Sequence, residues 1–141
     1  MLQREMTTVN KIPKIYTDGS CLKNPGGPSG WSFCVDHTWL VSGGVASSTN
    51  NRMELQAVIE ALDWITEPEC IIYTDSLLTL KCAKGIWKRK ANMDLWSEYD
   101  RVSRDKIVHW NWVKAHNGDE LNELVDIAAR AEAKLQKNKN S

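Results

Sequence analysis

Two carboxylates in this chain follow nearly identical apolar runs. Asp18 comes after the run 15–17 and Asp75 after the run 72–74, both reading I-Y-T. Apolar, β-branched runs that stop at an acidic and a small residue are typical of buried strands and their carboxyl ends. If these strands are parallel neighbours about 4.8 Å apart, Asp18 and Asp75 lie side by side. Their repulsion then requires a cation or a shared proton.

Two further carboxylates lie beside apolar stripes of helical period. Glu54 stands within T-N-N-R-M-E-L at 49–55, and Asp126 stands one helical turn after Asn122. Taken singly, the strand-end pair has an ordinary explanation as turn formers and the helical pair as solvated surface residues. Their joint occurrence favours a functional cluster, in which we expect at least one raised carboxyl pKa when no metal is bound.

The elements that must position these residues follow from periodicity and turn signals, and they predict the order βββαβααβα. Three antiparallel strands and two strands added through helical crossovers make a mixed five-stranded sheet with helices on both faces, an α/β fold. Gly43-Gly44 indicates a bulge, Asp94 is predicted as a helix N-cap, and the last helix is expected to bury Leu121, Leu124, Val125 and Ala128. The predicted strands are 14–18, 31–36, 39–46, 70–75 and 107–113, and the predicted helices are 51–65, 76–84, 94–104 and about 119–137.

Composition bounds the class of protein. The 141 residues predict one domain over 14–137, after a flexible leader at 1–13 and before a polar tail at 138–141. No apolar run reaches the roughly 20 residues of a membrane span, and we expect a cytoplasmic monomer. Lys+Arg and Asp+Glu both number 18, which argues against a bulk electrostatic nucleic-acid binder but leaves room for a local basic patch. The four cysteines form no C-x-x-C pair, so we expect reduced thiols rather than a zinc site.

Across residues 14–135 the chain resembles type 1 ribonuclease H. The resemblance is carried by T-D-G-S at 17–20, N-x-x-G at 24–27, the motif at 49–55, Y-T-D-S at 73–76, W-V-K-x-H at 112–116 and N-E-x-x-D at 122–126. It implies a ribonuclease H-like fold and an endonuclease that hydrolyses the RNA strand of RNA/DNA hybrids. It also implies two Mg²⁺ ions, or Mn²⁺ in their place, held by Asp18, Glu54, Asp75 and Asp126, with Asp18 touching both ions and with 5′-phosphate and 3′-hydroxyl products.

The same resemblance implies roles for residues around the carboxylates. His116 would assist proton transfer or product release, although a lone loop histidine is more often a solvated surface residue. The substrate contacts implied for RNA 2′-hydroxyls, bases and DNA phosphate are Cys21, Asn24, Thr49, Asn50 and Asn51. Helix capping is the simpler explanation for residues 49–51, and the two explanations are compatible.

The chain departs from the family where many bacterial members carry a long basic protrusion. Only residues 86–93 occupy that place in this chain. Trp87 and Lys88 are candidate substrate contacts within them, although an exposed loop without a role in binding is the simpler explanation of this segment. The lysine-rich end of the last helix is another candidate substitute. Leu77 replaces a frequent glutamine, which removes one base contact. With fewer phosphate contacts we expect weaker hybrid binding and a shallower salt dependence.

Three functions remain in competition at this point. The first is a metal-dependent hybrid endoribonuclease. The second is a DNA nuclease of the same fold, such as a transposase or junction resolvase, which lacks the joint motifs at 49–55 and 112–116. The third is a hybrid-binding module without catalysis, which gives no reason to hold four repelling carboxylates together.

Overall fold

The structure is a computed structural model that describes residues 12–139; the first eleven residues of the predicted leader and residues 140–141 of the tail lie outside the described range. Within that range the elements follow the predicted order. The strands are β1 (Lys14–Cys21), β2 (Ser29–Val35), β3 (Trp39–Val45), β4 (Glu69–Thr74) and β5 (Ile107–Trp112). The helices are α1 (Asn50–Trp64), α2 (Leu77–Ala83), α3 (Met93–Ser103) and α4 (Glu120–Lys139).

The five strands form one mixed sheet in the order β3-β2-β1-β4-β5. β1, β2 and β3 pair antiparallel, while β4 pairs parallel with both β1 and β5. Tyr16 lies opposite Tyr73 in the β1–β4 register, and the two rings stack with centroids 4.5 Å apart. Two residues further along, the same register brings Asp18 beside Asp75.

The sheet is covered by helices on both faces because its strands alternate between two apolar sides. The larger core lies between the sheet and the helices α1 and α3. Its members include Ile15, Phe33, Ile72, Leu55, Val58, Leu62, Trp96 and Tyr99. A fully buried aliphatic side chain contributes about 1.5–3 kcal/mol, so this core anchors the strand ends that carry the carboxylates. None of the helices in residues 12–139 is both long and apolar enough to cross a membrane.

The opposite face is covered by α4, whose buried stripe differs from the predicted one. Val125 is buried as expected, but Leu124 is 37% exposed, and the helix instead buries Asn122, Ala129 and Ala133. Small residues are required here because α4 passes so close to β2 that a Cβ on Gly30 would clash with the Ala129 carbonyl. α4 also continues through Lys139, two residues beyond its predicted end.

Two further local predictions were wrong. The N-cap of α3 is Asn92 rather than Asp94, whose carboxylate instead pairs with the Arg52 guanidinium at 3.0 and 2.7 Å. The register between β2 and β3 runs without interruption through Gly43 and Gly44, so these glycines make no bulge. They leave room instead: a Cβ on Gly43 would overlap the Trp31 ring.

Candidate metal centre and catalytic pocket

The carboxyl ends of β1 and β4 place two acidic side chains at one edge of the sheet. Asp18 lies within β1 and is only 4% exposed, and its Oδ1 accepts a hydrogen bond from the Gly19 backbone N–H at 2.9 Å. Asp75 is the first residue after β4, which ends at Thr74. The parallel pairing inferred from the repeated I-Y-T-D runs is therefore confirmed.

A third carboxylate reaches this edge from the first turns of α1. A Cβ on Gly19 would lie well under 3 Å from the Glu54 backbone nitrogen, so only glycine lets β1 approach the helix this closely. Carboxylate oxygens of Asp18, Glu54 and Asp75 all lie within 4.8 Å of one another. Glu54 is partly exposed as a residue, but its Oε2 is buried and has no hydrogen-bond partner within the described residues.

The electrostatics of this trio favour protonation when no cation is bound. Burial raises the pKa of Asp18 to about 7, a hydrogen bond with Glu54 opposes that rise, and the charge of Asp75 adds to it. Burial, with the charge of Asp18 next, raises the pKa of Glu54 well above its ordinary range. Burial also raises the pKa of Asp75. The expected raised carboxyl pKa is thus present, and it is shared among the three carboxyl groups.

Asn122 does not line the pocket but interacts with Asp75, and the sequence indicated it only as the residue one turn before Asp126. It is 2% exposed, and its side chain hydrogen-bonds the Asp75 carboxylate, which lowers the pKa of Asp75 against the effect of burial. Its Oδ1 is buried without a partner within the described residues. Asn122 could have been identified from the sequence as a polar residue on the buried stripe of α4, because a buried amide normally has a hydrogen-bond partner.

Asp126 lies in the same pocket but outside the tight trio. The pocket has a volume of about 420 Å³ and is lined by Asp18, Glu54, Asp75 and Asp126, among others. The negative charge of Asp126 raises the pKa of both Asp18 and Asp75, so the four carboxylates do share one electrostatic field. Its Oδ2, however, lies 2.9 Å from the guanidinium of Arg130, one turn further along α4.

His116 lies at the rim of this pocket, in the loop between β5 and α4. It is exposed, its φ is 55°, and its charge when protonated lowers the pKa of Asp75. A left-handed backbone is uncommon for a histidine, and such conformations cluster at functional sites. The structure therefore brings the loop histidine to the carboxylates, as the resemblance implied.

The residues named as substrate contacts divide into two groups. Cys21, Asn50 and Asn51 line the pocket, while Asn24 and Thr49 lie beside it and organise the start of α1. The Asn24 Oδ1 accepts the Asn50 N–H at 3.0 Å, and the Thr49 Oγ1 accepts the Arg52 N–H at 3.1 Å. The capping explanation for this segment is correct, and it leaves the amide nitrogen of Asn24 for other contacts.

Trp87 and Lys88 do not line the carboxylate pocket. They lie in the short connection between α2 and α3, where Trp87 is 44% exposed. Lys88 lines a separate, smaller pocket of about 160 Å³, and Asn51 forms a wall of both pockets.

The donor set fits a hard divalent cation. Mg²⁺ and Mn²⁺ prefer carboxylate oxygens as ligands and retain coordinated water. The Oε2 of Glu54 is buried and has no hydrogen-bond partner within the described residues, so it is available as such a ligand. Three carboxylates that cannot all ionise in a metal-free pocket become compatible once a cation is held between them.

Comparisons with known proteins agree with this geometry. The profile of a family described as RNase H matches residues 10–134. The chain is 39% identical over 144 residues to a protein named Ribonuclease H from Xanthomonas oryzae pv. oryzae (strain MAFF 311018), covering 90% of this chain and 95% of that protein. It is 40% identical over 147 residues to Ribonuclease HI from Xylella fastidiosa (strain Temecula1 / ATCC 700964), with the same coverage.

The fold is also similar to that of a solved structure. The N-terminal RNase H domain of rv2228c from Mycobacterium tuberculosis, solved as a fusion with maltose binding protein, superposes with a TM-score of 0.81 at 22% identity. The similarity covers 92% of this chain and 98% of that one, so the whole architecture is shared.

Proposed function

The chain belongs to the ribonuclease H family and is a hydrolase of the RNA in RNA/DNA hybrids; from this premise we propose that Asp18, Glu54, Asp75 and Asp126 hold two Mg²⁺ ions for the reaction. The observation that carries the proposal is the trio of carboxylates within 4.8 Å at the edge of β1 and β4. Divalent cations held by these residues would lower the pKa of a water and stabilise charge on the departing 3′-oxygen. Attack of that water on phosphorus with cleavage of the P–O3′ bond would leave 5′-phosphate and 3′-hydroxyl ends.

Four residues of the pocket have a defined part in this proposal. The Gly19 N–H hydrogen-bonds Asp18, and the Asn122 amide favours the ionised form of Asp75 against the effect of burial, so both carboxylates are oriented before substrate arrives. Glu54 supplies the free Oε2 from α1. His116, exposed at the rim, exchanges protons with solvent and with the reacting phosphate or the product.

Hybrid recognition is proposed for the polar start of α1 and the loop that supports it. Short amide and hydroxyl groups of Asn24, Thr49, Asn50 and Asn51 suit the 2′-hydroxyls displayed in a wide, shallow minor groove. The Cys21 thiol points to the Leu22, Gly27 and Ser48 carbonyls, so its part is to hold this loop against α1 as much as to touch substrate. That the enzyme acts as a monomer in the cytoplasm stays a prediction from composition.

The deciding experiment uses one hybrid labelled first on the RNA strand and then on the DNA strand, incubated with Mg²⁺, Mn²⁺ or EDTA. We expect cutting of the RNA strand alone, dependent on the metal and abolished in Asp75→Asn. Nicking of duplex DNA would support the same-fold DNA nuclease instead. Retarded migration of the hybrid without cutting would support the binding module.

A further inference from the structure

The connection between α2 and α3 contains three consecutive basic residues that the structure treats differently. Arg89 is turned into the protein, with a side chain 23% exposed, whereas Lys88 and Lys90 are exposed. Among residues 12–139, neither lysine ammonium takes part in an ion pair. Two lysines without an ion pair therefore flank one arginine whose side chain is held against the protein.

Arg89 makes three kinds of contact through its guanidinium. Its central carbon lies 4.2 Å from the centroid of the Trp96 ring, and its Nη1 lies 3.0 and 2.9 Å from the two carboxylate oxygens of Asp100. Its Nε donates to the Cys82 carbonyl at 3.3 Å. A planar guanidinium that stacks on a ring and hydrogen-bonds at the same time is held more firmly than an ammonium would be, which favours Arg89 as an anchor of the loop over Arg89 as a phosphate ligand.

The ends of this connection are also fastened. The N–H groups of Ile86 and Trp87 both donate to the Lys81 carbonyl, at 2.9 and 3.2 Å. At the other end, the Asn92 Oδ1 accepts from Arg52 at 3.3 Å, which ties the connection to α1. The loop is thus pinned at both ends and, through Arg89, in its middle.

Pinning Arg89 inward turns its two neighbours to the opposite side. Lys88 and Lys90 line the smaller pocket, whose walls include Leu78, Trp96 and Asn51, while Arg89 lines a different pocket on the far side of α3. Asn51 also lines the carboxylate pocket. The two free ammonium groups therefore border the same continuous surface as the catalytic carboxylates.

We propose that Arg89 is a positioning residue for substrate: it fixes the loop so that Lys88 and Lys90 face the catalytic surface and bind backbone phosphates of the hybrid. This inference rests on the proposed function for the identity of the substrate. The charges support it, because a chain of zero formal net charge can bind a polyanion only through local groups of unpaired cations, and Lys88 and Lys90 form such a group.

The test measures binding of a fluorescent hybrid to the full chain in EDTA by anisotropy, across a range of salt concentrations. Replacing both lysines, K88A/K90A, should reduce the slope of log affinity against log salt by about 1.8, since each lost phosphate contact removes about 0.9. R89M should also reduce the slope, and R89M added to K88A/K90A should reduce it no further. R101M, which removes one exposed cation of α3 paired with Glu98, is the matched charge control and should leave the slope unchanged.

Three results would overturn the inference. A further loss of about 0.9 on adding R89M to the double lysine variant would mean that Arg89 itself contacts phosphate. A wild-type slope in R89K would mean that charge alone matters and not the stacked fork. An unchanged slope in K88A/K90A would show that the two lysines do not bind phosphate. Because both side chains are exposed, this variant should fold, and its result does not depend on whether R89M folds.

Steady-state kinetics separate positioning from general damage. We expect K88A/K90A and R89M to raise KM with kcat retained, and a fall in kcat at constant KM would contradict the proposal. The wild-type cleavage assay reports separately on the proposed function: absence of metal-dependent RNA cutting would refute that function while the binding slopes still decide the role of Arg89.

Discussion

Asp126 and Arg130 lie one turn apart on α4, and the Arg130 Nη2 lies 2.9 Å from the Asp126 Oδ2. The pair explains why the fourth carboxylate of the pocket stands outside the trio formed by Asp18, Glu54 and Asp75. A cation bound between Asp126 and the trio either uses the Asp126 Oδ1 or competes with Arg130 for the Oδ2, and in both cases it lies close to the positive guanidinium of Arg130. We therefore expect the ion that involves Asp126 to bind more weakly than the ion held by the trio.

Arg130→Met should tighten this weaker metal site in the absence of hybrid. Because the pair is partly exposed, its removal should change the dissociation constant by only about two- to fivefold. Isothermal titration with Mg²⁺ or Mn²⁺ measures the change directly and does not depend on cleavage. Arg101→Met is the control that loses an equally exposed arginine, and equal affinities in all three proteins would show that Arg130 does not compete with the metal.

Asp18→Asn should abolish cutting yet stabilise the metal-free protein at neutral pH. In the wild type, burial and, to a smaller extent, repulsion by the Asp75 charge oppose ionisation of Asp18, and the neutral amide avoids that cost, which is roughly 2 kcal/mol. Chemical denaturation in EDTA measures the gain in free energy of unfolding. Added Mg²⁺ should stabilise the wild type and not the variant, and a destabilised variant in EDTA would contradict the repulsion.

His116→Ala should lower turnover by roughly ten- to a hundredfold, the low end for loss of a general acid or base. The matched control is His109→Ala on β5, because His109 is also exposed but pairs with Glu69 away from the carboxylates. Single-turnover and steady-state rates should be compared, since a product-release role affects only the second. Unchanged rates in both regimes would remove His116 from the mechanism.

The element order and the central pairing were predictable because each depends on local pattern. Two I-Y-T-D runs with an amphipathic helix between them favour parallel strands, and Asp18 lies beside Asp75 if those strands are neighbours. The position of Glu54 beside an apolar helical stripe marked it only together with the other carboxylates, and its role as a ligand came from the resemblance. What these predictions share is that periodicity and handedness leave few alternatives.

The predictions that failed depend on contacts between residues far apart in the chain. The local sequence predicts Asp94 as an N-cap, but its carboxylate instead pairs with Arg52, which lies 42 residues earlier in the chain. The helical period predicts Leu124 as a core residue, but α4 approaches Gly30 so closely that small residues face the sheet instead. The inward turn of Arg89 depends on Trp96 and Asp100, and no spacing rule in K-R-K distinguishes it from the two exposed lysines.

The bidentate pair between Arg52 and Asp94 predicts an acid-sensitive contribution to stability. The Arg52 hydrogen bond lowers the pKa of Asp94 to about 2, so the folded protein favours the ionised carboxylate relative to the unfolded chain. Stability from a carboxyl group of lowered pKa is present above its unfolded value, about 4, and is lost as the pH falls towards 2. A double-mutant cycle with Arg52→Met and Asp94→Asn isolates the pair from the other acidic groups. We expect a measurable coupling free energy of unfolding at about pH 6, weaker in high salt because Asp94 is well exposed, and largely lost at about pH 2. A coupling that persists undiminished at the acidic end would show that the two side chains interact through something other than the charge of Asp94.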